Sequence, residues 1–96
     1  SRAGRMRYAY QPSFLETTRG LSENQAARLL KAIEKFQRAM ESHQWPQGLG
    51  VTHLRREYFE FRVGIQSRVI YNRSGNLIQY VLYGNHDQVK RFLKTL

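Results

Sequence analysis

The sequence predicts an α+β domain in which two helices near the N-terminus pack on a mostly antiparallel sheet of four to five strands, followed by a short C-terminal helix. Three observations carry this. Residues 23–41 form a capped run with helical periodicity, and four strand-like runs then follow between residues 51 and 83 with gaps too short for helical crossovers. The segment after Gly84 is basic with a narrow apolar stripe. Ninety-six residues make one modest core, so residues 6–96 are read as a single domain. The opening "SRAGR", residues 1–5, reads as a cloning scar and is left out of the fold argument.

The elements follow in order. "MRYAYQ", residues 6–11, alternates until Pro12 and predicts a first strand with Tyr8 and Tyr10 on one face. Pro12 or Ser13 starts a short helix that Gly20 stops. "SENQ" is a capping box, with Ser22 accepting from the third helical amide and Gln25 reaching back. In the helix that it opens, Ala26, Leu29, Leu30, Ile33, Phe36 and Met40 are expected to form the stripe against the sheet. "HQWPQGLG" reads as a loop, with Trp45 expected to plug one end of the core. The strands are expected at 51–56, 58–63, 67–72 and 77–83, with hairpin turns at 64–66 and around Gly75. Alternation then sends Phe59, Phe61, Val63, Val69 and Tyr71 to the helix face, and Tyr58, Glu60, Arg62, Arg68 and Ile70 to the other. A last helix over 87–94 buries Val89, Phe92 and Leu93.

Charge narrows the partners. Sixteen Lys and Arg against seven Asp and Glu give +9, or +7 once Arg2 and Arg5 of the scar are set aside. A polyanion is the expected partner: nucleic acid, an anionic membrane surface or an acidic protein. Beyond Phe61 only Asp87 is acidic, against Arg62, Arg68, Arg73, Lys90, Arg91 and Lys94, so the basic face belongs to the C-terminal half. No stretch approaches the roughly 20 apolar residues of a membrane span, and no signal-peptide core is present, which makes the cytoplasm the expected location. The absence of cysteine excludes disulfides, thiolate zinc sites and cysteine nucleophiles. Three scattered histidines and isolated acids lack metal-ligand spacing, so neither metal nor cofactor is expected.

The block "YFEFRVGIQSRVIYNRSGNLIQYVLYGNHDQV", approached through "GLGVTHLRRE", resembles the RelE/ParE superfamily of bacterial and archaeal toxins. The matching motifs are Phe61-Arg62-Val63-Gly64, Ser67-Arg68-Val69-Ile70-Tyr71 and Gly84-Asn85-His86. Ser67 departs from the pattern, since many members carry a tyrosine before the second arginine. The resemblance implies a RelE-like fold and a toxin neutralised by a small acidic antitoxin. Its activity would most often be cleavage of messenger RNA on the ribosome. Two alternatives stay open: a ParE-like inhibitor of gyrase, and a noncatalytic member acting as an antitoxin-bound corepressor.

Metal-free RNA cleavage needs a base for the 2′-hydroxyl, an acid for the leaving 5′-oxygen and cations around the phosphorane. Imidazole chemistry suits His86 to either proton role, and Arg68 on the neighbouring strand is the candidate phosphate clamp, with Arg62 beside it. Asp87 either orients that imidazole or caps the last helix. His53 is a weaker second proton carrier, with Arg55 two residues on, and His43 is incidental. Arg55, Arg56, Lys90, Arg91 and Lys94 are expected to track phosphates, and Tyr58 and Tyr83 to stack on unpaired bases. Phe92 is expected in the core instead.

Overall fold

In the computed structural model, which describes residues 5–96, the chain runs β1 (Arg7–Tyr10), α1 (Pro12–Thr17), α2 (Glu23–Ser42), β2 (Thr52–Arg55), β3 (Tyr58–Val63), β4 (Ser67–Ser74), β5 (Leu77–Asn85) and α3 (His86–Leu93). The expected scar lies outside the described residues except for Arg5, whose carbonyl accepts from Asn76 Nδ2 at 3.0 Å. The five strands form one sheet in the order β1-β5-β4-β3-β2. β2 to β5 make the expected antiparallel meander, and β1 adds to β5 in parallel.

α2 begins as its sequence dictates. Ser22 Oγ accepts from the Gln25 amide at 3.1 Å, and Gln25 Oε1 accepts from the Ser22 amide at 2.9 Å. The helix buries Leu29, Ile33, Phe36, Ala39 and Met40. Phe36 stacks on Phe61 with ring centroids 4.4 Å apart and meets Tyr71 at 4.6 Å, so the helix is anchored over β3 and β4. Leu30 and Ala26 fall outside this stripe: Leu30 is 57% exposed, because a helix presents only a limited arc to a sheet and residue 30 is about 100° round from Leu29. The loop after α2 also differs from expectation. Trp45 is 52% exposed, and Leu49 fills the end of the core instead.

β5 carries the extra residue that shapes the reverse side of the sheet. Its pairing with β4 runs Ile70↔Leu82 and then Tyr71↔Tyr80, which leaves Val81 as a bulge. Tyr80 and Tyr83 therefore both face the helices, while Val81 and Leu82 both join the opposite side. The register with β1 ends at Tyr10↔Tyr80, so β5 needs other partners beyond that point. α1 supplies them: Ser13 Oγ donates to the Val81 carbonyl, and Thr17 Oγ1 accepts from the Tyr83 amide at 3.0 Å.

α3 packs on the reverse face, where Val89 joins Ile70 and Val81, flanked by Leu54, Tyr58, Leu82, Phe92 and Leu93. Its start differs from expectation by one step. Asn85 is the N-cap, its side chain accepting from the Gln88 amide at 2.9 Å, and Gln88 Oε1 accepts from the Asn85 amide at 2.8 Å. Asp87 lies inside the first turn, where its charge suits the positive end of the helix dipole. Gly84 makes this cap possible, because a Cβ there would stand 2.7 Å from Gln88 Oε1 and 2.9 Å from Gln88 Cβ.

Two outcomes follow. Gly84→Ala must displace the first turn of α3, since Gln88 Cβ is fixed to the helix. Denaturant unfolding should show a loss of about 1–3 kcal/mol, as overpacking typically costs, and the Gln88 and Val89 amides should lose exchange protection. The second concerns alkaline pH. Burial pushes the Tyr71 phenol up to about 12, and it raises Tyr80 and, with the Glu41 carboxylate, Tyr8 as well. These phenols ionise near 10 in the unfolded chain, so the fold retains protons that the unfolded state releases. Stability is complete below about pH 10 and falls as pH rises toward 12. Phenolate absorbance should appear together with loss of near-ultraviolet circular dichroism, and Tyr71→Phe should move the midpoint upward.

Candidate functional site

Three strands set the site by register. Arg62 on β3 stands directly opposite Arg68 on β4, and Arg68 stands opposite Gly84 on β5. Two residues beyond Gly84 the chain enters α3 at His86. The β3–β4 turn closes the same end of the sheet, so Ile65 and Gln66 meet Arg68, Asn85, His86 and Asp87 around a cleft of about 360 Å³. The two leading sequence candidates, His86 and Arg68, therefore line one cavity.

The environments of these groups differ. His86 is exposed at the first position of α3, where the amides of His86 and Asp87 have no intrahelical acceptor. Their partial positive charge adds to that of Arg68 and favours an anion at this end. Asp87 is exposed and, among the described residues, makes no ion pair with His86. Arg68 is mostly withdrawn from solvent, its side chain 18% exposed, and its Nε lies 3.5 Å from Glu60 Oε2. Glu60 is a group that the sequence argument passed over as a site residue. The available clue was that it is the one acid within any described strand and lies on the face of Arg62 and Arg68.

Several expected site residues are placed elsewhere. Arg62 is exposed on the correct face but does not line the cleft. Its stem lies across Gly50, where an added Cβ would come within 3.0 Å of it. His53 pairs with Phe59, and their rings meet tilted at 53° with centroids 4.9 Å apart, on the helix side of the sheet. Its Nε2–H donates to the Arg56 carbonyl at 2.7 Å, so it is turned into the β2–β3 hairpin and away from His86. The register shift between His53 and Arg55 breaks the alternation that would have kept those two on one face. Arg55 donates from Nη1 to the Leu93 carbonyl at 3.1 Å and ties down the C-terminal end of α3.

The proposed stacking platforms are also occupied. Tyr58 meets Phe92 edge-on at 5.1 Å within the reverse-face cluster, and Phe92 is the core residue expected of it. Tyr83 packs against the helix-side core, and its hydroxyl donates to Ser67 Oγ at 3.3 Å, behind the cleft. Lys90, Arg91 and Lys94 are exposed along α3, and Arg56 is exposed in the β2–β3 turn. Arg55 and Arg56 lie at the far end of the sheet from the cleft. Tyr58, which pairs with Arg55, is level with Asn72, four residues along β4 from Arg68, or about 13 Å at strand rise. Gln66, Ile65 and Asn85 complete the lining, and sequence reasoning had assigned them only to a turn and a strand end. Ile65 is 93% exposed at the rim. Among the described residues no three His, Asp or Glu side chains converge as a metal site would require.

No family model matches the sequence, and no curated protein is significantly similar to it. Solved structures do match. RelE from the RelB-RelE antitoxin-toxin complex of Methanococcus jannaschii superposes with a TM-score of 0.65 at 14% identity, covering 88% of this chain and 96% of that one. YoeB from the Staphylococcus aureus dimer gives 0.65 at 19% identity over 85% and 98% of the two chains. The E. coli DinJ-YafQ complex gives 0.62 at 15% over 88% and 98%. The order of two helices, an antiparallel meander joined by a parallel edge strand and a short final helix is thus shared nearly end to end, and the chain has the RelE-type toxin fold.

Proposed function

We propose that the chain is the toxin of a type II toxin-antitoxin system and acts as an endoribonuclease on messenger RNA held in the ribosome. The observation that carries this is the meeting of His86 and Arg68 in one cleft at the basic end of a RelE-type fold. The chemistry needs no resident cofactor. The 2′-oxygen attacks the adjacent phosphorus, the P–O5′ bond breaks, and a 2′,3′-cyclic phosphate and a free 5′-hydroxyl remain. His86 carries the proton of the attacking or the leaving oxygen, and Arg68 offsets the charge that builds on the phosphorane. The exposed Lys90, Arg91 and Lys94 extend the positive field from the cleft along α3 and hold the flanking phosphates.

The partner reading follows from charge and from the relatives. RelE and YafQ are each seen in complex with an antitoxin, RelB and DinJ. A chain of net charge +9 suits a small acidic antitoxin that orders on binding, in a toxin-antitoxin hetero-oligomer. The apolar stripe of α3 is already spent on its own sheet, so the antitoxin must either displace that helix or bind outside it. The site of action is the cytoplasm, where ribosomes are; among the described residues no helix is long and apolar enough to cross a membrane.

Induction of the chain alone in bacteria should arrest growth and translation within a few generations. RNA 5′ ends should then map inside translated codons. His86→Ala should lower the cleavage rate about 10²–10⁴-fold, as removal of a proton-transfer group does, and Arg68→Ala about 10²–10³-fold. Both variants should grow. Undiminished toxicity in both rules out this reading. DNA-damage signalling with intact messenger RNA would indicate a gyrase inhibitor, and a harmless chain that still captures an acidic partner would indicate a corepressor.

A further inference from the structure

Glu60 is the one acid within any described strand, and the alternation of β3 places it on the face of Arg62 and Arg68. Its side chain is 15% exposed, and its Oε2 lies 3.5 Å from Arg68 Nε. It is absent from the lining of the cleft, whereas Arg68 belongs to it, so the carboxylate holds the arginine from behind. A guanidinium presents five N–H donors in a rigid fork with two usable edges. Glu60 is engaged at the Nε edge. The edge of the two terminal NH₂ groups is left over, and on it Nη1 is buried with no hydrogen-bond partner among the described residues. An unsatisfied donor in a low-dielectric setting is unfavourable, and because Nη1 is enclosed by protein, an anion in the cleft can satisfy it only once the guanidinium or the cleft wall shifts.

We propose that Glu60 is a positioning residue for Arg68, holding the Nε side of the guanidinium so that its terminal edge is directed to the reacting phosphate. The proposal rests on the RNA-cleaving reading of the cleft. Glu60 has two opposed effects. As an orienting partner it raises the rate of the chemical step, and as a negative charge beside Arg68 it weakens the attraction of the site for RNA. Its removal should therefore lower turnover and tighten binding together, a split that loss of folding alone does not produce.

The test compares wild type, Glu60→Gln and Glu60→Asp in cleavage of messenger RNA on purified ribosomes. In Glu60→Gln, kcat should fall about 10- to 100-fold, as it does when the outer partner of a site group is removed elsewhere. KM should stay level or fall, and Glu60→Asp should recover part of kcat. Unchanged kcat in Glu60→Gln, with only a lower melting temperature, overturns the proposal. If the wild-type chain cleaves no RNA, the functional reading has failed, and nuclear magnetic resonance then decides on Glu60. The Arg68 Nε–H resonance should exchange slowly in wild type, shift on addition of inorganic phosphate, and exchange rapidly in Glu60→Gln. An Nε–H that behaves identically in both proteins overturns the positioning role.

Discussion

Val81 is one residue more than the ladder between β4 and β5 can pair, and the functional end of the molecule is arranged around it. The bulge changes the phase of β5 partway along its length. Tyr80 and Tyr83 both turn to the helices, and Val81 and Leu82 both turn to the reverse face, where they give α3 an apolar floor. The same phase change puts Gly84 against Arg68, and only a residue without a side chain leaves room for Gln88 to fold back and cap α3. His86 is thus held beside Arg68 by backbone register, with no direct contact needed between the two side chains.

Much of this is written locally. The capping box at Ser22, the apolar stripe of α2 and the strict alternation of "YFEFRV" and "SRVIYN" each name an element and a face, because the helical and pleated periods are local properties. The neighbourhood of His86 and Arg68 follows from strand order alone once the meander is accepted. What the sequence does not reveal depends on exceptions to period. The bulge at Val81 and the irregularity between His53 and Arg55 break the alternation, and the second of these parts Arg55, opposite Tyr58 on the reverse face, from His53, which the register with Phe59 keeps on the helix side. Which end residue caps α3 was likewise undecidable by type, since Asn85 and Asp87 are both good caps, and the decision falls to Gln88 and the space above Gly84. The parallel pairing of β1 with β5 is a contact between distant parts of the chain, which local patterns do not encode.

The charge arrangement follows one logic. Exposed bases along α3 and at Arg62 stay solvated and, among the described residues, make no ion pair, the state in which they can draw a polyanion over a distance. The cation withdrawn from solvent, Arg68, is accompanied by a carboxylate, because an isolated buried charge would be prohibitive. The sheet therefore separates exposed cations that attract from a largely buried cation, Arg68, that is held by a carboxylate.

The parallel edge of the sheet also bears on when the protein can become active. Arg7 pairs with Leu77 and Tyr10 with Tyr80, so the first strand finds its partner only once β5, about 70 residues further on, has been made. α1 is fastened to Val81 and Tyr83, equally late in the chain. Such non-local closure is slow and cannot be completed on a growing chain that still lacks β5. The cleft, built from β4, β5 and α3, is then among the last parts to form. The residues that meet in the cleft are therefore brought together by pairings that span most of the described fold, and no short segment carries them alone.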